Sequence, residues 1–168
     1  MTEQSPAMLS DIEILDILNS MKNDELNREA KDIIRNGGKA GRQEAHRDAL
    51  VSLNQTFENN FVEAVTLALG LNEGQAKKIR YKKDRIRILK ARGIDYLAID
   101  GAETAQVLSQ IAQAITREDA TVTHDLHNIF PFWKEGPMVQ FDNAYKILED
   151  DISIHYQAVL DELLKKHN

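Results

Sequence analysis

The stretch Met138–Val159, MVQFDNAYKILEDDISIHYQAV, decides the fold. Met138, Phe141, Tyr145, Leu148, Ile152, His155 and Val159 follow one another at spacings of three and four. That period places apolar side chains on one face of an α-helix. A seam of this length suits packing against another long helix, within the chain or across a dimer. Pro137 is placed to open the helix at its first position, giving a last helix over about 137–165.

A partner for that seam lies upstream. Arg42–Leu69 reads as one long helix in which Leu50, Leu53, Phe57, Phe61, Ala64 and Ala68 form a single apolar stripe. At ~1.5 Å per residue each long helix spans roughly 40 Å, close to the diameter of a domain of this size. That reach allows an antiparallel pair of them to form the backbone of the molecule, and pairing within the chain or between chains is equally open.

The remaining helices announce their ends. Ser10 and Glu13 make an S-x-x-E capping box, with Leu9 and Ile14 as the hydrophobic staple, for a first helix reaching about Met21. A second runs from about Glu25 to Arg35 and stops at Asn36-Gly37-Gly38. Asn72 with Gln75 caps another, and Asp100 with Glu103 caps the one whose inner face is Ala105, Leu108, Ile111, Ala112 and Ile115. A short turn of helix is expected over Thr123–Phe130, ending at Pro131. Residues 85–99 allow two readings, a helix through about Ala91 or a β-hairpin, because Arg85-Ile86-Arg87-Ile88 alternates before Gly93. The absence of a turn signal before Arg85 favours the helix. The expectation is an all-α, single-domain bundle of about six helices, with residues 1–8 disordered.

Composition narrows the class further. Apolar residues are 42% and charged residues 29%, ordinary for a globular chain. Without cysteine there is no disulfide, no thiolate zinc site and no cysteine nucleophile. MTEQSPAMLSDIE lacks a basic region leading into an apolar run, and no run approaches the roughly 20 apolar residues that span a bilayer. A cytoplasmic protein with no membrane contact is expected.

Charge is distributed unevenly. Gly74–Gly93, GQAKKIRYKKDRIRILKARG, carries Lys77, Lys78, Arg80, Lys82, Lys83, Arg85, Arg87, Lys90 and Arg92 against the single acid Asp84. The whole chain has 21 basic and 27 acidic residues, which leaves 12 and 26 outside this segment. A basic helix in an acidic body is attracted first to its own protein or to a second copy. Nucleic acid would meet repulsion from the remainder, and the basic overall balance typical of its binders is missing. Charge complementarity within or between chains is the leading reading, ahead of an acidic protein partner and of nucleic acid.

Few residues suggest catalysis. Asp151 and His155, four apart on the last helix, project together as metal ligands can. The pair resembles one element of the metal-binding domains of some helical bacterial transcription regulators, whose further downstream histidines are absent here. His124-Asp125 resembles the HD pair of helical metal-dependent phosphohydrolases, with His127 close by. The simpler reading of His155 is a hydrogen-bonded core residue. IIRNGGKAGR, Ile33–Arg42, lacks the preceding strand and GK[ST] ending of a phosphate loop. Phe130, Phe132 and Trp133 cluster beside Pro131 and Pro137, where aromatics can anchor a partner or plug the end of the bundle.

The sequence therefore points to a non-catalytic interaction or regulatory module, expected to be dimeric and to need no cofactor. Its contact residues would be the basic side chains of 77–92 and the aromatics Phe130, Phe132 and Trp133. The alternatives are a nucleic-acid-binding regulator using that basic segment, and a metal-dependent hydrolase or ligand-sensing domain using His124, His127, Asp151 and His155.

Overall fold

Ser10 opens the first helix as its sequence demands. In the computed structural model, which describes residues 9–117, 127–128, 134 and 140–167, the Ser10 side chain accepts from the Glu13 amide while the Glu13 carboxylate accepts from Ser10. Helix α1 covers Asp11–Asn23 and buries Ile14 and Leu18. Helix α2 covers Arg28–Gly37, starting three residues later than the pattern indicated, and α3 covers Arg42–Leu69. Asn72 and Gln75 form a reciprocal capping box for α4, Glu73–Lys78, and α5 follows over Lys82–Ala91. A 3-10 turn at Tyr96–Ala98 leads to α6, Ala102–Arg117. Helix α7 covers Phe141–Lys165 with extended Gln140 as its N-cap, so it begins after Pro137, which lies outside the described residues together with Met138. The described residues hold helices and turns and no strand, and the hairpin reading of 85–99 is therefore overturned.

The two stripes meet as expected. Leu50, Leu53, Phe57, Phe61 and Ala64 of α3 and Ile152 and Leu160 of α7 are fully buried in one core cluster, and the equally buried His155 ring lies against Phe57. Their direction is not the antiparallel one. Gln43 accepts from the Phe141 amide, Arg42 pairs with Asp142, the His46 and Tyr145 rings touch, Phe57 meets Tyr156, and His167 bonds the Ala68 carbonyl. Starts lie beside starts and ends beside ends, so α3 and α7 run parallel. The physical reason is the connection between them: α4, α5 and α6 return the chain along the bundle before α7 begins. From Phe141 to Val159 the seam is satisfied inside the chain, which removes its argument for a dimer.

Two other boundaries depart from the pattern. Helix α6 starts at Ala102, because Gly101 with φ +78° stands between it and Asp100. The basic helix read as continuous through Ala91 is broken at Ile79–Tyr81, where extended Tyr81 separates α4 from α5. No helix of the described residues is long and apolar enough to cross a membrane.

Candidate functional site

The break between α4 and α5 has an occupant that explains it. Arg85, only 5% exposed, donates from Nε to the Ile79 carbonyl at 2.9 Å, in the very turn where the helix stops. Its Nη2 meets Glu58 of α3 at 2.6 Å and its Nη1 meets the Tyr96 hydroxyl at 3.3 Å. The guanidinium carbon lies 4.1 Å from the centroid of the Phe61 ring, within cation–π range. A buried charge is tolerable only when paired and hydrogen-bonded, and Arg85 is both.

The chain of bonds continues. Tyr96 donates its hydroxyl to His155 Nε2 at 2.8 Å, and His155 Nδ1 donates to the Asp100 carbonyl at 2.7 Å. A carbonyl only accepts, so Nδ1 carries the proton and every bond in the series has one direction. Burial lowers the His155 pKa to about 4 and raises that of Tyr96, so both rings are neutral near pH 7. The network joins α3, α5, the 3-10 turn, the start of α6 and α7. It is a fastening between elements.

Outside this core the basic segment faces solvent. Lys77 pairs loosely with Glu73, Arg87 with Asp84, Arg80 reaches Asn59, and the half-buried Arg92 donates to the Leu69 carbonyl. Such exposed pairs are worth about 0–1 kcal/mol. Lys78, Lys82, Lys83 and Lys90 are exposed and have no acidic partner among the described residues. Intramolecular complementarity therefore accounts for Arg85 and leaves a ridge of cations unmatched.

Beside the ridge lies a cleft of about 520 Å³. Arg80, Tyr81 and Lys82 form one wall, with Arg85 and Tyr96 lining it beneath. The other wall is α6, which contributes Gln106, Ser109, Gln110 and Gln113 at helical spacing. Tyr81 and Leu97 stand in the cleft lining with 68% and 57% of their surface exposed. The Gln110 Oε1 atom is shielded from solvent and has no hydrogen-bond donor among the described residues.

The sequence named Arg80, Lys82 and Arg85 but missed Glu58, Tyr96 and the glutamines. An arginine in phase with Ile88 and Leu89 was the available signal for burial, and the uncharged stripe of α6 was the signal for the cleft. His155 has both ring nitrogens engaged, while Asp151 is exposed on α7. No group of three or more metal-ligating side chains occurs among the described residues. His127 is described, whereas His124, Phe130, Phe132 and Trp133 lie outside the described residues, as does most of the expected helical turn at Thr123–Phe130. The chain matches no family model, no curated protein and no solved structure.

Proposed function

We propose that the protein is a non-catalytic interaction module whose working surface is the basic α4–α5 ridge, and that its partner is a protein with an acidic surface. One observation carries this reading: Lys78, Lys82, Lys83 and Lys90 stay exposed and without an acidic partner among the described residues, in a chain of net charge -6. Charges left open beside so many acids are available for a partner, and complementary patches accelerate encounter and select against like-charged competitors. The acidic remainder disfavours nucleic acid, whose phosphates it repels. A second copy of the chain is a less suitable partner, because the α7 seam that argued for self-pairing is packed against α3.

Affinity capture with the full chain tests this. The expected result is an acidic protein that survives nuclease treatment and rebinds the chain after purification. Rebinding should weaken as salt rises, and Lys78→Glu with Lys82→Glu and Lys83→Glu should abolish it. Recovery of nucleic acid, with no protein that rebinds, overturns the proposal.

A further inference from the structure

We propose that the cleft between the α4–α5 break and α6 seats an extended acidic segment of that partner, with an apolar side chain next to its carboxylates. The inference rests on the ridge reading and names what enters the site. Gln106 and Gln113 lie seven residues apart on α6, roughly 10 Å along the axis, the length of about three residues of extended chain. A glutamine amide both donates and accepts, so a row of them matches the alternating N–H and C=O groups of a peptide backbone. Gln110, whose carbonyl oxygen has no donor among the described residues, gains one from a peptide N–H once its amide turns toward the cleft.

The opposite wall supplies the charge. Arg80 and Lys82 stand at the rim for carboxylates, and Arg85 spends three of its five N–H groups on the buried network, which leaves two. Tyr81 and Leu97 offer exposed apolar surface to one non-polar side chain. Glu103 also lines the cleft and repels an anion placed beside it. A run of unbroken acids or a polyphosphate therefore fits less well than an acid next to an apolar residue. The cleft volume suits such a segment.

The test uses the full-length chain and a displayed library of random hexapeptides, with the best binder labelled with fluorescein for polarisation. The expected consensus is an acid adjacent to a leucine or aromatic residue. Arg80→Glu with Lys82→Glu should weaken the labelled peptide by at least about tenfold, and Gln106→Ala with Gln110→Ala by about fivefold or more. Lys39→Glu with Lys146→Glu, exposed and outside both the ridge and the cleft, should change it less than about twofold. Thermal unfolding of each variant establishes that it is folded. Selection without an acidic-apolar consensus, or selected peptides indifferent to the cleft variants, overturns the inference. Captured acidic protein that ignores the glutamine variants also overturns the cleft and leaves the ridge standing. Capture of nucleic acid instead brings down the ridge reading itself.

Discussion

Arg85 and His155 sit at the two ends of one hydrogen-bonded series, and their burial makes different demands. Removing Arg85 leaves the Glu58 carboxylate, 14% exposed at its side chain, without its cation. Breaking a buried pair from one side costs about 3–5 kcal/mol, whereas removing both partners costs far less. Arg85→Met should therefore lower stability by about that amount in urea titration, and Glu58→Leu in the same chain should restore part of it. A loss below about 1 kcal/mol in the single variant would mean the pair is solvated. For His155 the sign follows from its lowered pKa of about 4, mainly through burial. The unfolded chain, with an ordinary histidine near 6.5, takes up the proton first as pH falls. The stability from a neutral His155 is complete above about pH 6.5 and drains away toward pH 4, by roughly 3 kcal/mol in all. Urea midpoints of wild type and His155→Gln should therefore converge between pH 7 and pH 4. A constant gap would mean that the ring does not stay neutral on folding. His155 was legible as a core residue from its place in the seam. Its partners Tyr96 and Asp100, and Arg85 and Glu58 beyond them, were not, because they are distant in sequence from His155 and only the fold joins them.

At the scale of elements, the junction between the 3-10 turn and α6 depends on Gly101. Its φ of +78° disfavours a side chain, and a Cβ there would lie 2.7 Å from the Cβ of His155. Gly70, which ends α3 at φ +62°, has nothing within 4 Å of such a Cβ. The two positions separate backbone strain from crowding. Gly70→Ala should cost about 1 kcal/mol through conformation alone. Gly101→Ala should cost a further ~1–3 kcal/mol, because α6 must shift off α7. Equal losses in thermal unfolding would show that α6 is loosely seated. The helices themselves were legible, α3 to the residue, because stripes and capping boxes are local signals. Direction was not legible, since a stripe faces its partner equally well in either sense. Nor was the break in α4–α5, which arises from the distant contacts that draw Arg85 into the core.

For the whole molecule the decisive property is the separation of charge. A pI near 5.4 describes the sum, and the sum conceals a face on which Lys78, Lys82, Lys83 and Lys90 stand free of acidic partners among the described residues. Screening operates over about 10 Å at 0.1 M salt and about 30 Å at 0.01 M. At moderate ionic strength a surface therefore feels the nearest face more than the net charge. The chain should consequently be held at pH 7 by a sulfonate cation exchanger in about 0.1 M salt, despite its negative balance, and should elute as salt rises through about 0.3 M. Lys78→Glu with Lys82→Glu and Lys83→Glu should pass through unretained while keeping the wild-type unfolding midpoint, since none of these side chains is buried. Passage of the wild type through the same column would show that neighbouring acids neutralise the ridge over a Debye length. The ridge would then be too weak to recruit an acidic partner by charge, and the acidic segment assigned to the cleft, which depends on the same cations, would fall with it.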